Sequence, residues 1–219
     1  MSGFDDFAMT TPRPLPVFVL ADTSGSMKEN GNIEVLNNAL TSMIRAFGEE
    51  DSQRAAIFVS IITFGGAEAK IHTPLLPAEE VQFDPLEARG RTPMGGAFSK
   101  VRSQIEDRQV VDGRAYRPTI VLVSDGKPTD EWENPLKELM ESGRASKAFR
   151  LAMGIGQDAD EIILGRFQGP DRSVFTARES NDIIRFFKFV TMSVTSRSVS
   201  TNPNEDQMIE LPDPADFEF

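Results

Sequence analysis

Apolar runs of strand length alternate with segments of helical periodicity along most of the chain. The runs at 17–21, 56–64 and 119–124 are rich in β-branched and aromatic residues, which is typical of strands buried on both faces. Several segments between them carry apolar residues every three or four positions, as amphipathic helices do. This alternation predicts an α/β fold, a doubly wound and mostly parallel sheet with helices on both faces.

One pair of strands is expected to run antiparallel. Gly65 and Gly66 offer a two-residue hairpin turn into 67–72, where charged and apolar residues alternate. We therefore expect this strand at an edge of the sheet. Residues 74–90 contain three prolines and predict a loop. The other expected elements are strands at 149–154 and 173–177 and helices at 33–47, 96–110, 134–142, 159–167 and from residue 180 onward, with Asn134 and Ser180 as N-caps.

The chain has 219 residues, which suits one domain with a sizeable core. Alternate prolines at positions 12, 14 and 16 predict an extended lead-in before a first strand that starts at residue 17. We place the lead-in at 1–13, the domain at 14–197 and an acidic, disordered tail at 198–219. Six acidic residues and no basic residue follow Arg197, a composition that does not favour a packed core.

Composition excludes several kinds of protein. Without cysteine there are no disulfides and no cysteine-ligated zinc. The formal net charge of −11 argues against a direct nucleic-acid partner. The start of the chain does not have the pattern of a secretory signal, and the longest apolar window, 55–64, is too short to span a bilayer. We therefore expect a cytoplasmic protein with no membrane partner.

A run of oxygen-bearing side chains directly follows the first predicted strand. Asp22, Ser24 and Ser26 stand at alternate positions, with Gly25 inside the turn. Glycine lets the backbone curl tightly enough for the three side-chain oxygens to face one point. Converging hard oxygens suit a hard cation such as Mg²⁺, although a serine-rich turn that only caps a helix has the same composition.

Two more residues extend this set. Asp125 ends the third buried strand as Asp22 ends the first, and Thr92 lies in the loop before a predicted helix. The carboxyl ends of parallel strands meet at one edge of the sheet, where α/β proteins bind ligands. If the two strands are neighbours, two carboxylates and three hydroxyls can form an octahedral Mg²⁺ site with waters and one replaceable position. The candidate metal ligands are Asp22, Ser24, Ser26, Thr92 and Asp125.

In this order, the segments 22–26, 92 and 125–126 resemble the complete metal-ion-dependent adhesion site of a von Willebrand factor type A (vWA) domain. The resemblance covers about residues 14–197. It implies that Ser24 and Ser26 ligate Mg²⁺ or Mn²⁺ through their hydroxyls and that Thr92 binds directly or through water. It implies that Asp22 and Asp125 act largely through bound water. A non-catalytic module is implied, whose open metal position accepts a carboxylate from a protein partner.

Within that family, the segment 125–132 and the serine-rich stretch 196–200 are most similar to bacterial tellurium-resistance TerY-like proteins. Such proteins are associated with a protein kinase and a phosphatase in stress-response gene clusters. The resemblance therefore implies a scaffold in a stress-response system, with a kinase and a phosphatase as partners. The acidic tail is not part of this pattern.

Two other functions fit the alternating pattern less well. A metal-dependent phosphohydrolase would use Asp22 as its nucleophile, and a haloacid-dehalogenase-like enzyme begins in this way. Such an enzyme needs an acid two positions later, where this chain has Ser24, and an acidic pair near the later strand, where Gly126 follows Asp125. A nucleotide-binding fold would need a G-x-G-x-x-G or P-loop lysine motif after the first strand, and neither is present.

Two single aromatic residues have more than one interpretation. Trp132 is the only tryptophan and follows Asp125 by seven residues. It can stand on the rim of the metal site and anchor a partner, or it can pack over the following helix. His72 is the only histidine, and we expect it at the surface, because no cysteine or second histidine exists to complete a soft-metal or catalytic set.

Overall fold

A computed structural model of the protein describes residues 11–50, 52–170 and 173–205. Strands and α-helices alternate through these residues, as the sequence predicts. The strands are β1 (Arg13–Asp22), β2 (Ala55–Gly65), β3 (Glu68–Pro77), β4 (Thr119–Ser124), β5 (Phe149–Ile155) and β6 (Phe175–Ala177). The α-helices are α1 (Asn32–Gly48), α2 (Met94–Glu106), α3 (Glu133–Glu141), α4 (Glu161–Gln168) and α5 (Ser180–Val199). Short 3₁₀ segments lie at Gly25–Gly31, Ala78–Glu80 and Ala145–Lys147.

The six strands form one sheet in the order β3-β2-β1-β4-β5-β6. All neighbouring pairs are parallel except β2 and β3, which are antiparallel. The predicted fold class and its antiparallel edge strand are therefore confirmed. Because β1 lies between β2 and β4, the strand order reverses direction at β1. In open α/β sheets such a reversal leaves a crevice at the carboxyl ends of the two central strands.

Helices cover both faces of the sheet, which explains why the central strands carry apolar side chains on both of their faces. In β1, Val17 and Val19 belong to one buried cluster, and Phe18 and Leu20 belong to a second. The first cluster includes side chains from α1 and α5, and the second includes side chains from α2, α3 and α4. Successive residues of a strand point to opposite faces, so a strand buried on both sides shows no alternation.

The first strand begins at Arg13, four residues earlier than predicted. Pro14 and Pro16 lie in register with β2, although proline has no N–H to donate. The N–H of Arg13 donates to the carbonyl of Arg54 on the β2 side. Because backbone groups alternate in direction along a strand, both prolines turn their nitrogens away from β2. Pairing with β4 begins only at Val17, so the prolines leave no strand hydrogen bond unmade.

The edge strand β3 is longer than predicted, and the predicted loop therefore begins after Pro77 rather than at 74. An edge strand tolerates proline because one side of its backbone has no partner. The hairpin turn is also shifted by one residue. Gly65 pairs with Glu68, which leaves Gly66 and Ala67 as the turn, and Gly66 has the positive φ of +79° that favours glycine.

Helix α2 ends at Glu106, four residues before the predicted end. Asp107 starts a turn instead, because its carboxylate accepts the N–H of Gln109 at 2.8 Å. The N–H groups of Val110 and Val111 both donate to the carbonyl of Asp107. A local aspartate turn of this kind competes with helix continuation.

Two of the predicted helix caps are wrong by one or two residues. Helix α3 starts after Trp132, so Asn134 lies inside its first turn. Helix α5 is capped by Glu179 in a reciprocal capping box with Asp182, and Ser180 is its first helical residue. Helix α4 has a side-chain cap that was not predicted, since Asp160 accepts the N–H groups of Ile162 and Ile163.

The folded chain continues past the predicted domain end at 197. Helix α5 extends to Val199, and residues 200–205 turn back to contact the end of α5 and the segment just before β4. Arg197 donates to the carbonyl of Pro203 at 2.9 Å, and the N–H of Arg117 donates to the Asn204 side chain at 2.8 Å. The predicted tail is thus wrong for 198–205, and its acidic remainder, 206–219, lies outside the described residues. Within the described ranges, none of the helices combines the length and the apolar composition that a membrane span requires.

Candidate metal centre

The two predicted aspartates meet at the carboxyl edge of the central strands. Asp22 is the last residue of β1, and Asp125 follows the last residue of β4. Ala21 pairs with Val123, so the next residues, Asp22 and Ser124, lie side by side. Asp22 is fully buried and Asp125 is 7% exposed. The register of β1 against β4 therefore places both carboxylates in the crevice where the strand order reverses.

Both carboxylate oxygens of Asp22 accept hydrogen bonds from the protein. The Ser24 N–H donates to Oδ1 at 2.8 Å, and the Ser124 hydroxyl donates to Oδ2 at 2.5 Å. Sequence reasoning missed Ser124. Its position could have indicated it. Ser124 is the last residue of β4, and the ends of β4 and β1 lie side by side if the two strands are neighbours. These bonds fix the orientation of Asp22 and stabilise its ionised form.

The side-chain oxygens of three predicted ligands, which come from two distant segments, lie within hydrogen-bonding distance of one another. The hydroxyl oxygens of Ser24 and Ser26 lie 3.0 Å apart. Both hydroxyls donate to Asp125 Oδ1, from Ser26 at 2.9 Å and from Ser24 at 3.4 Å. Ser24 is buried, whereas Ser26 is exposed. The cluster of oxygens is thus closed on the Asp22 side and open to solvent on the Ser26 side.

Thr92 reaches the same edge from the loop before α2. It is 6% exposed. A Cβ placed on Gly126 would lie 4.0 Å from the Thr92 hydroxyl oxygen, which puts that hydroxyl beside the backbone that follows Asp125. The structure therefore brings the second predicted segment next to the third.

A close backbone contact holds the 22–26 loop against the loop before Thr92. The Gly25 N–H donates to the Gly90 carbonyl at 3.0 Å, and the Arg89 N–H donates to the Thr23 carbonyl at 2.7 Å. Gly90 has a φ of +69°, and a Cβ there would lie 2.5 Å from the Cα of Gly66. Only glycine fits this contact, which joins two loops and leaves no local pattern in the sequence.

Burial dominates the electrostatics of the two carboxylates. It raises the pKa of Asp22 from its ordinary value of 3.8 to about 6, against the lowering effect of the bonds from Ser124 and Ser24. The charge of Asp125 adds a smaller upward contribution to the pKa of Asp22. Burial also raises the pKa of Asp125, opposed by the hydroxyls of Ser26 and Ser24. Holding two buried carboxylates in their ionised form costs free energy. A bound cation would reduce this cost.

The donor chemistry fits a hard divalent cation. All five candidate side chains offer oxygen, which suits Mg²⁺ or Mn²⁺ better than softer metals. The described part of the chain has no cluster of three or more histidine, cysteine, aspartate or glutamate side chains that could hold a metal. The candidate ligand set at this edge therefore has two carboxylates, and its other three side chains are hydroxyls.

The two aromatic residues singled out in the sequence have structural contacts. Trp132 packs against the cluster formed with α2, α3 and α4, and the Arg166 guanidinium lies 4.8 Å from its ring centre. These contacts favour the packing interpretation, and a role at the partner rim stays a prediction. On β3, His72 contacts the carbonyl of Asp84 at 2.9 Å and meets the Phe83 ring edge-on. His72 is therefore partly covered by the loop that follows β3, rather than fully exposed.

Comparison with known proteins decides the family. The family model of the von Willebrand factor type A domain matches residues 17–127, which contain every candidate metal ligand. The chain belongs to this family. No curated protein matches the sequence.

Solved vWA structures share the fold at low identity. Proximal thread matrix protein 1 from the mussel byssus is 18% identical with a TM-score of 0.66, and the match covers 85% of this chain and 49% of that chain. A von Willebrand factor type A protein from Catenulispora acidiphila is 18% identical with a TM-score of 0.61, over 86% of this chain and 43% of that chain. A further structure of the mussel protein has a zinc-occupied metal-ion-dependent adhesion site (MIDAS) motif. It is 17% identical with a TM-score of 0.65, and the match covers 84% of this chain and 48% of that chain. The chain thus spans about half the length of these structures or less.

Proposed function

We propose that this vWA domain is a non-catalytic protein-binding module that acts through a bound Mg²⁺ or Mn²⁺. The observation that carries the proposal is the meeting of the Ser24 and Ser26 hydroxyls at Asp125 Oδ1, within 3.4 Å. The ligand set would be Ser24 and Ser26, with Thr92 beside them and the carboxylates of Asp22 and Asp125 acting largely through water. When bound, the cation would supply an open position for an anionic oxygen.

The arrangement of charges supports an external carboxylate as the occupant of that position. Asp22 is fully buried, and its two oxygens are already hydrogen-bonded to Ser24 and Ser124. Of the five candidate ligands, those nearest the open side are hydroxyls and the carboxylate of Asp125, and the charge of Glu29 also acts on Asp125. Few charges next to the cation leave it electrophilic, so it gains from an anionic oxygen supplied by a partner.

Oxygen donors alone favour Mg²⁺ or Mn²⁺ over zinc as the native metal. A related site can hold a divalent cation, since one structure of the mussel byssus protein has a zinc-occupied MIDAS motif. That protein is too distant in sequence to transfer its metal preference. We therefore infer the identity of the metal from the oxygen donors of this chain alone.

The geometry gives no support to the phosphohydrolase alternative. A nucleophilic Asp22 would need an oxygen free to reach a phosphorus atom. Here the residue is fully buried, with one oxygen bound to a backbone N–H and the other to a hydroxyl. Because the side chain has no exposed surface, a phosphoester could reach either oxygen only if the 22–26 loop opened. We therefore expect no phosphatase activity above background on generic phosphoesters.

We further propose a cytoplasmic role as a scaffold in a tellurium-resistance-like stress-response system. The support is the similarity of 125–132 and 196–200 to TerY-like proteins. The partners proposed on this basis are a kinase and a phosphatase, of which at least one offers a carboxylate to the metal. Trp132 stays the proposed rim contact.

Calorimetric titration of the full chain tests the metal part of the proposal. Mg²⁺ and Mn²⁺ should bind at one site in the millimolar range or tighter, and Asp22→Ala and Asp125→Ala should abolish binding. Asp84→Ala is the matched control, because Asp84 is an exposed aspartate whose side chain is not part of this cluster. A folded wild-type protein that binds neither ion, or that prefers zinc to both, would contradict the proposal.

The partner part needs a second experiment. Purified kinase and phosphatase candidates are mixed with the full chain in Mg²⁺ or in EDTA, and complex formation is measured. Binding should require the metal and should be lost in Asp125→Ala but kept in Asp84→Ala. Thr92→Ala should retain weak metal binding yet lose partner affinity. Complexes that form equally well in EDTA would show that the interface does not use the metal.

A further inference from the structure

Two residues outside the predicted ligand set tie the loop of Thr92 to the loop of Asp125. Thr129 and Asp130 follow Asp125 by four and five positions and precede helix α3. The Thr129 side chain contacts Thr92 and the Asp130 side chain contacts the first turn of helix α2, both more than thirty positions earlier in the sequence. Neither was identified from the sequence as part of the site.

Thr129 fixes both sides of the Thr92 backbone. Its hydroxyl accepts the Thr92 N–H at 3.1 Å, and its own N–H donates to the Thr92 carbonyl at 3.0 Å. The Met94 N–H donates to the same carbonyl at 2.8 Å. The backbone at Thr92 is thus held by reciprocal bonds to one residue, which restricts its rotation.

Asp130 holds the next part of the loop. One carboxylate oxygen accepts the Gly95 N–H at 3.0 Å, and the other accepts the Gly96 N–H at 2.9 Å. These N–H groups belong to the first turn of α2 and have no partner within the helix. A Cβ on Gly95 would lie 1.9 Å from the carbonyl oxygen of Glu131, so the two segments are in direct backbone contact.

We propose that Thr129 and Asp130 are positioning residues that hold the Thr92 hydroxyl at the metal position before any metal binds. The proposal rests on the proposed function, because Thr92 is a ligand only if the site takes a cation. The pair joins two of the three ligand segments into one unit. A purely structural alternative is that the pair caps α2 and contributes only to stability.

The first test compares Thr129→Val with Thr129→Ser. Valine keeps the shape of threonine but removes the acceptor for the Thr92 N–H, whereas serine keeps it. Thr129 is exposed, so both variants should fold. Mn²⁺ affinity, measured by calorimetry on the full chain, should fall about fivefold in Thr129→Val, as expected for one lost hydrogen bond. Thr129→Ser should restore the wild-type affinity.

The second test is a double-mutant cycle with Thr92→Val, which removes the hydroxyl being positioned. In this background Thr129→Val should change Mn²⁺ affinity less than twofold, because no ligand remains for it to orient. A purely structural role would leave the affinity unchanged, or change it by the same factor, in both backgrounds. Equal factors in the two backgrounds would therefore overturn the positioning role.

Asp130 gives an independent check by amide hydrogen exchange without metal. Asp130→Asn, which keeps one acceptor oxygen, should speed exchange at one of Gly95 and Gly96, and Asp130→Ala should speed it at both and at Thr92. Unchanged exchange at Thr92 would also count against the proposal. If the wild type binds no metal in the same titrations, the proposed function fails as well, whereas metal binding without coupling to Thr92 overturns the positioning role alone.

Discussion

At the scale of single residues, ionising the buried carboxyl group of Asp22 costs free energy in the folded protein. Burial raises its pKa to about 6, above the value of the unfolded chain. A carboxyl whose pKa is raised on folding stabilises the protein below its unfolded pKa, and this stabilisation is lost as the pH rises through about 6. At neutral pH without metal, the ionised and buried Asp22 therefore lowers the free energy of unfolding.

Replacing Asp22 by asparagine should stabilise the metal-free protein at pH 7.5. Asparagine keeps an acceptor for the Ser24 N–H and has no charge to bury. The free energy of unfolding of Asp22→Asn should exceed that of wild type at pH 7.5. This difference should shrink by roughly 1.4 kcal/mol between pH 7.5 and pH 5, because wild-type Asp22 takes up a proton over this range. Urea unfolding in EDTA at both pH values measures the difference. An advantage that grows toward pH 5 would mean that Asp22 is not the group that titrates.

The same group should make metal binding depend on pH. A cation binds the ionised site, so protons compete with it once Asp22 becomes protonated. Mg²⁺ affinity should be nearly constant above pH 7 and should fall roughly tenfold per pH unit below about pH 6. Calorimetry from pH 5 to pH 8 measures this profile. A flat profile would show that Asp22 is not coupled to the metal.

At the scale of elements, the position of the ligand loops depends on a backbone contact at Gly90. Gly90→Ala puts a Cβ 2.5 Å from the Cα of Gly66 at a φ of +69°. We expect a loss of about 2–4 kcal/mol of stability from the clash and the backbone strain together. Gly113→Ala is the control, since a Cβ there meets no atom within 4 Å, and it should be neutral or slightly stabilising. Urea denaturation compares them, and equal stabilities would contradict the close contact.

Helix α5 is anchored to the sheet by a buried arginine. Arg197 donates to the Thr119 hydroxyl at 2.6 Å, to the Arg117 carbonyl at 2.7 Å and to the Pro203 carbonyl at 2.9 Å. Arg197→Leu leaves these acceptors buried without a donor and should cost about 3 kcal/mol. Arg185→Leu removes only a partly exposed ion pair with Asp182 and should cost less than about 1 kcal/mol. Thermal melts that give both variants the same stability would contradict the anchoring role.

At the scale of the whole molecule, a bound metal should stabilise the entire domain. Only the folded chain brings residues 22–26, 92 and 125 together, so the cation binds the native state alone. At a hundredfold excess over its Kd, Mg²⁺ should add about 2.7 kcal/mol, or roughly 5–10 °C in Tm. Asp22→Ala and Asp125→Ala should lose this rise and, without metal, should be no less stable than wild type. Variants that keep the Mg²⁺-dependent rise would show that the site lies elsewhere.

The sequence determined the architecture because its signals are local. The limits of β4 and, within one residue, of α1 follow from apolar runs and helical periodicity, and the charged alternation after Gly66 identified the antiparallel edge. The five candidate ligands could be chosen because each follows a strand or precedes a helix. Where a neighbouring strand mattered, the sequence was insufficient. From the sequence, Pro14 and Pro16 are predicted to lie before the first strand, because proline has no N–H to donate. Only the staggered start of β4 shows that these N–H groups would have no partner.

Only the tertiary structure decided how the candidate ligands are held. The burial of Asp22, its bond to Ser124 and the contacts of Thr129 and Asp130 with the start of α2 join residues 34 to 102 positions apart. No local pattern encodes such pairs, because they depend on the register of β1 against β4 and on the packing of two loops. The sequence therefore specified which oxygens stand at the sheet edge. Register and packing decided which of them are buried, which carboxyl is hardest to ionise and which side is open to a partner.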